Sequence, residues 1–579
     1  MTAHHPSLAA APERRFRINV WDFLVFALVI GALALVAFGG RQTVQPLDTV
    51  TRAPLSLDPV NLPNYALRTT LRMLAAMGLS LLFTFVYGAA AAKSRRGEMI
   101  LIPLLDVLQS VPILGFLSFT VTGFMSLFPG NVLGVELAAI FVIFTSQAWN
   151  MAFSFYYSLK TVPKDLKDAS DSLRLGAWWR FWILEAPYAA PGLIWNAMMS
   201  MSGAWFFVVA SEAISVGRTT IALPGVGSYV QLAIDHGDMK AVGWAVLTML
   251  IVILIYDQLL FRPLVAWSEK FRVDMSAVSQ GPPPQSWFLD FIQRAQLAKR
   301  VWTPVGRVVH RLQRIRFAEF RMPPAVADVW ASRKADYALA SVMGLLALYA
   351  AFKVVAYVGT GVGWGELPRV VGLTGLTLIR VIVLLVVASL IWVPIGVWVG
   401  LRPKLAEVVQ PLTQFAAAFP SNLLFPVFVL AIVATHANAD IWLSPLMILG
   451  AQWYILFNVI AGASSFPADM REATASLGIK GWPWWRKVML PAIFPSYVTG
   501  ALTASGGAWN AAIVAEVASW RDTRLEAHGI GAYIADATAK GDFPRITLGV
   551  AVMALFVVLL NRYFWRPVFA YGSRKLGLA

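Results

Sequence analysis

Twelve stretches of this chain are each long and apolar enough to cross a lipid bilayer, which limits the fold more than any other feature. A helix needs about 20 apolar residues to traverse the hydrocarbon core, and its backbone polar groups must be bonded internally there. On that basis spans fall at 21–38, 66–92, 101–128, 132–158, 188–216 and 241–261, and again at 337–358, 370–400, 405–434, 441–462, 492–516 and 546–565. The chain is 579 residues long, 58% hydrophobic and 13% charged, with a mean hydropathy of +0.65. An ordinary soluble chain carries about 25% charge, and a large soluble core would not need so many apolar runs of this length. The first span, Trp21–Phe38, has no small-residue cleavage site after it and reads as retained.

The net charge of +16 would suggest nucleic acid in a soluble protein. Here the basic residues fall where membrane topology puts them, on the cytoplasmic side. Arg14, Arg15 and Arg17 precede the first span, Lys93, Arg95 and Arg96 follow the second, and Lys160, Lys164, Lys167, Arg174 and Arg180 follow the fourth. Arg262 ends the sixth. The second series repeats the pattern with Arg333 and Lys334, Arg402 and Lys404, Arg471, Lys480, Arg486 and Lys487, and Arg566, Arg574 and Lys575. Both termini are then cytoplasmic, membrane lipid is the surrounding partner, and no nucleic-acid partner is expected. The chain divides into a first membrane domain at 1–262, a basic linker at 263–336 and a second membrane domain at 337–579. In the linker Trp287, Phe288, Phe291, Ile292, Val301, Trp302, Val305, Val308, Val309 and Leu312 recur at helical spacing among arginines. That pattern suits an amphipathic helix on the cytoplasmic leaflet.

The two series are copies of one another. At the separation of Pro187 and Pro491, 304 residues, Ala169 aligns with Ala473, Leu173 with Leu477, Trp205 with Trp509, Glu212 with Glu516, Gly225 with Gly529 and Gly227 with Gly531. Upstream the offset is 308, the separation of Pro112 and Pro420, and it pairs Thr69 with Thr377, Arg72 with Arg380 and Pro103 with Pro411. Each copy has an even number of spans, so the two lie parallel and form a pseudo-twofold bundle around a central path.

The longest polar stretch within each copy is the cytoplasmic loop after its fourth span. In the second copy it runs from Pro467 through Glu472, Ala473, Thr474, Leu477 and Gly478 to Leu490 and Pro491. Its residues suit a short helix: Pro467 in a first turn, Asp469 at the positive end of the dipole and Gly478 as a left-handed stop. This resembles the signature loop of binding-protein-dependent ABC importer permeases: Glu-Ala-Ala, three residues, Gly, nine residues, Ile-x-Leu-Pro. Thr474 and Val488 are mild departures. The first copy is weaker. Asp168, Ala169, Ser170 and Pro187 match, but Arg174 stands where Gly is expected and Ala186 where Leu is. Gly176 and Ala177 offer a turn displaced by two residues.

The segments Thr69–Arg72 and Leu223–Tyr229, echoed at Thr377–Arg380 and Gly529–Tyr533, look like those of permeases for nitrate, sulfonates, taurine and related anions, especially duplicated ones. The resemblance implies an all-α membrane protein of two six-helix type I ABC importer domains in a bacterial cytoplasmic (inner) membrane. It implies two copies of a cytoplasmic ABC ATPase on separate chains, holding ATP and Mg, and docked on the two loops. A periplasmic or lipid-anchored substrate-binding protein and a small anion such as nitrate, sulfonate, taurine or bicarbonate complete the expectation.

Ionisable residues inside spans are costly and functional by default. Arg72 and Arg380 lie near the outer ends of the second and eighth spans, Glu212 and Glu516 near those of the fifth and eleventh. Either each Arg neutralises its Glu, or the two arginines face a shared anion path that Trp205, Trp509 and Asn510 also line. Gly225, Gly227, Gly529 and Gly531 mark an external turn or re-entrant segment that would meet a binding protein.

No catalytic residue, bound cofactor or metal site is expected. The chain has no cysteine, its six histidines are terminal or isolated, and no Gly-x4-Gly-Lys-Ser/Thr phosphate loop occurs. A 12-helix secondary transporter of the major facilitator type is the rival reading. It would be expected to carry a Gly, Asp-Arg and Arg-rich signature after its second span, where this chain has only Lys93 to Glu98.

Overall fold

The computed structural model describes residues 20–43, 45–47, 55–216, 219–271, 285–295 and 332–575, with scattered positions between 303 and 313. The arginines before the first span, and Val301, Trp302, Val305, Val309 and Leu312 of the linker pattern, lie outside the described residues. Among the described residues nine helices are long and apolar enough to cross a membrane, or twelve when three bent pairs count as one span each. All twelve fall on the expected stretches. We number them in chain order as spans 1 to 12.

Three spans are bent rather than straight. Span 3 (Arg95–Ser110, then Ile113–Leu127) turns by 86°, span 9 (Pro403–Ala418, then Ser421–Thr435) by 76°, and span 10 (Ala439–Ile448, then Gln452–Ser464) by 42°. The cause in spans 3 and 9 is a proline at the break. Val111 before Pro112 and Phe419 before Pro420 are both extended, with ψ of 124° and 125°, because the proline ring excludes the helical conformation from the residue before it. Span 3 still runs from one face to the other. Its start is held to the cytoplasmic end of span 4 (Val132–Lys160) by Lys160 Nζ to Glu98 at 2.6 Å and Tyr156 to Glu98 at 2.5 Å. Beyond its far end, Val132 N donates to Gln45 O at 3.0 Å on the outer side.

Within each half the packing repeats. Span 2 (Leu62–Lys93) packs on span 4, and span 4 on span 5 (Ala186–Glu212); span 8 (Leu367–Gly400) packs on span 10, and span 10 on span 11 (Leu490–Ala515). Spans 1 (Val20–Gln42) and 7 (Arg333–Gly361) are peripheral, with nearly all of their apolar surface facing outward. Span 1 meets the linker helix Trp287–Arg294, where Trp21 lies edge-on to Phe291 and under Arg294.

The halves also lock together. On one side the break in span 3 is capped by span 11: Ile113 N donates to Asn510 Oδ1 at 2.7 Å. Nearby, Asp106 pairs with Arg566, and Phe119 meets Phe543 at 5.4 Å between ring centroids. On the other side, span 9 packs on span 5 and span 6 (Met239–Tyr256).

Duplication extends to backbone irregularities. Single π-helical turns occur at Phe181–Glu185 and Trp485–Met489, and again at Asp257–Phe261 and Asn561–Trp565, each pair at the repeat offset. Such turns are rare and cluster at functional sites. Here the first pair lies between the cytoplasmic loop and the span that follows it.

Candidate functional site

The cytoplasmic loops fold as two nine-residue helices, Lys164–Ser172 and Ala468–Ser476. Pro163 and Pro467 occupy the cap position just before them rather than the first turn. Both helices end alike. Arg174 N donates to Asp171 O and Leu175 N to Ser170 O, as Gly478 N does to Ala475 O and Ile479 N to Thr474 O. This double closure needs a left-handed residue, supplied by Gly478 at φ 62° and Arg174 at φ 49°. The turn therefore does not move to Gly176, which is extended with φ −60°. Holding Arg174 there costs about 1–2 kcal/mol from the crowding of its Cβ.

The helices present matching faces. Asp168 and Ala169, like Glu472 and Ala473, are exposed, whereas Ser170 and Thr474 turn back and donate to Lys167 O and Arg471 O. At the stop, Leu173 is 72% exposed and Leu477 74%. Apolar side chains so exposed on a cytoplasmic loop suit a protein partner. Pro187 and Pro491 are partly buried at the start of the next spans, and Leu490 is at the surface edge.

At the opposite face each half holds a buried charge cluster. In the first, Arg72 donates to Glu136 at 2.5 and 2.8 Å, to Glu212 at 2.7 Å and to Pro224 O at 3.1 Å. Arg68 adds a 3.0 Å bond to Glu136, and Thr69 donates to Glu212 at 2.7 Å. None of these four charged side chains is more than 8% exposed. In the second half Arg380 reaches Glu516 and Asp440 at 3.1 Å each, and His528 O at 2.8 Å. Thr377 repeats Thr69, and the His528 ring lies over Asp440 at 3.0 Å.

The glycines complete these clusters. Gly227 N and Gly531 N donate to Glu212 and Glu516 at 2.7 Å, at the N-termini of the outer helices Val226–His236 and Ile530–Lys540. That is a favoured position for a carboxylate. A Cβ on Gly225 or Gly529 would run into the Glu212 or Glu516 carboxylate, so glycine is set by close approach. The anticipated external turn is thus a hairpin, Ala213–Val216 with Thr219–Ala222 and Val517–Trp520 with Thr523–Glu526, followed by an outer helix seated on buried charge.

The second hairpin also crosses to the other half. Arg521 N donates to Ile234 O at 3.2 Å and its guanidinium to Gly237 O at 3.3 Å, joining the halves on the outer face. Trp205 and Trp509 are core residues, each 1% exposed. Asn510 serves the break in span 3, as described above. Arg72 and Glu212 therefore face each other, and in this structure they line no open space.

Sequence reasoning passed over Glu136, Asp440, Arg68 and Arg521. Glu136 and Asp440 were within reach, because they stand at the same 304-residue offset inside apolar spans. Arg68 has Leu376 as its repeat mate and so carried no such signal.

These features define a duplicated, multi-pass membrane protein with paired helices in its cytoplasmic loops. The chain matches the family described as binding-protein-dependent transport system inner membrane component over residues 59–262 and again over 392–563, and it belongs to that family. It is a multi-pass inner-membrane protein, and the two matches are the two fused copies. The matches leave out spans 1 and 7, the two peripheral ones, and all but the end of span 8. The chain is similar to the bicarbonate transport system permease protein CmpB of Synechococcus elongatus, 30% identical over 31% of this chain and 60% of CmpB. It is similar to the nitrate import permease protein NrtB of Leptolyngbya laminosa, 25% identical over 31% of this chain and 62% of NrtB. The glycine betaine/proline betaine permease ProW of Escherichia coli is 24% identical over 36% of this chain and 59% of ProW. The chain thus spans about 60% of the length of these curated relatives.

Proposed function

We propose that this chain is the complete membrane channel of an ATP-driven importer, with both halves of the translocation pathway in one polypeptide. The observation that carries the reading is the pair of cytoplasmic helices. They share one backbone, lie at equivalent places in a twofold bundle, and each presents an exposed carboxylate and an exposed leucine. Two copies of an ABC ATPase would dock there and hold ATP and Mg2+. Each would push on a span through its π-helical turn, a segment where the backbone ladder is already interrupted. The substrate would be a small anion, as the names of CmpB and NrtB suggest, handed over by a separate binding protein at the outer face. The name of ProW makes a zwitterion the second substrate class.

Arg72 and Arg380 support the clusters under the outer helices in this reading rather than contact the anion, because their donors are engaged by carboxylates and backbone carbonyls. The major facilitator alternative does not call for paired docking helices. The test is reconstitution with the cognate ATPase and a panel of bicarbonate, nitrate, taurine and glycine betaine. We expect one substrate to stimulate ATP hydrolysis, and Glu472→Arg or Asp168→Arg to lower ATPase capture and uptake at least tenfold. Uptake driven by a proton gradient without the ATPase would overturn the proposal.

A further inference from the structure

The seam between the halves is closed on one side and open on the other. On the closed side Arg566 of span 12 reaches across to Asp106 of span 3. On the open side the repeat mates of these two residues are Arg262 and Gln414. No carboxylate reaches across this side, where Arg262 pairs instead with Asp257 of its own span, and a cavity of about 600 Å³ lies between spans 5, 6 and 9.

The cavity is apolar in its depth, where Met201, Trp205, Leu250 and Ile253 line it. Leu254, Val408 and Leu412 form its lip and are 49%, 59% and 60% exposed, so it opens sideways to the hydrocarbon. Trp509, the repeat mate of Trp205, is not part of its wall, which places the cavity off the pseudo-twofold axis. Its volume is in the range that encloses a small ligand.

Three charged side chains stand at the cytoplasmic rim, Asp257, Arg262 and Glu407. Arg262 places Nε on Asp257 at 2.8 Å, and its terminal nitrogens have no partner among the described residues. Glu407, in the second turn of span 9, has no cation among the described residues. The terminal nitrogens of Arg262 and the carboxylate of Glu407 thus offer a donor pair and an acceptor side by side at the mouth of an apolar cavity. A guanidinium fork fits a phosphate, and a carboxylate fits an ammonium.

We propose that this cavity binds one aminophospholipid of the inner leaflet, of the phosphatidylethanolamine type. An acyl chain fills the apolar depth, the phosphate takes the place at Arg262 that Asp106 fills at Arg566, and the ammonium pairs with Glu407. Such a headgroup gives Arg262 an acceptor and Glu407 a cation, leaves the Asp257–Arg262 pair in place and adds no net charge. Phosphatidylglycerol would leave Glu407 facing an uncharged glycerol, without a cation, and phosphatidylcholine has no ammonium proton to donate. The bound lipid is a wedge in the seam, holding on this side the contact that protein makes on the other.

The test uses the full chain in nanodiscs of equal phosphatidylethanolamine, phosphatidylglycerol and phosphatidylcholine, then native mass spectrometry after extraction into detergent. One phosphatidylethanolamine is expected to survive conditions that strip other lipid. Leu250→Trp, which fills the cavity, should reduce that retention at least tenfold. Glu407→Gln should remove the preference over phosphatidylcholine. Gln414→Glu, a surface-conservative change that restores a carboxylate opposite Arg262, should displace the lipid without disturbing the fold. Retention that is indifferent to headgroup, or unchanged in Leu250→Trp and Gln414→Glu, overturns the proposal. The measurement needs neither ATP nor substrate, so its failure leaves the importer reading standing.

Discussion

The two outer charge clusters occupy equivalent positions on one scaffold, yet one is sealed and the other half open. In the first half two guanidiniums, Arg68 and Arg72, face two carboxylates, Glu136 and Glu212, and all are buried. In the second half Leu376 replaces Arg68, so Arg380 alone faces Asp440 and Glu516, and Asp440 is 35% exposed beneath the His528 ring. The half with one guanidinium fewer is the half whose carboxylate, Asp440, lies nearer water. A buried charge without a partner is costly, so divergence of the copies follows local charge balance.

The contrast can be broken most directly at the arginines. Arg72→Met should destabilise by about 3–5 kcal/mol, since it strands two buried carboxylates. Arg380→Met should cost less, about 1.5–3 kcal/mol, because water already reaches Asp440. Thermal unfolding in detergent checks the pair, and equal losses would mean that the second cluster is as closed as the first.

The glycines are the control for that difference. Gly225→Ala and Gly529→Ala press a methyl group into carboxylates of equal burial, so each should lose about 1–3 kcal/mol, and by the same amount. Unequal losses would locate the asymmetry in the backbone rather than in the charges.

A smaller effect separates the cytoplasmic loops. Arg174→Gly relieves left-handed strain and should raise stability, read by thermal unfolding, by about 0.5–1 kcal/mol after the entropy cost of glycine. Gly478→Arg should lower it by a similar amount. The smallest change belongs to His528→Ala. Its ring is 79% exposed, and such surface pairs contribute about 0.2–1 kcal/mol. A loss above that range would show the histidine to be part of the sealed network.

Much of this was legible in the chain. The spans, their orientation and the repeat are readable because hydrophobic length and basic flanks act locally, and duplication preserves spacing. The helices in the cytoplasmic loops were readable for the same reason, down to the stop at Gly478. The stop at Arg174 was not, because six-to-one closure by Leu175 overrides the residue preference at that position. The bends in spans 3 and 9 had a visible cause in Pro112 and Pro420, but a hydropathy window averages over a proline.

By itself, then, the sequence determined the membrane class, the parallel duplication, the sidedness of the loops and the presence of charge inside the spans. Only the tertiary structure decided the partners of those charges. Arg72 and Glu136 lie 64 residues apart and Arg72 and Glu212 lie 140 apart, and no local rule reports which side chains meet across packed helices. It also decided that one inter-half seam closes on Asp106 and Arg566 while its mate stays open, because a seam depends on residues from both copies at once.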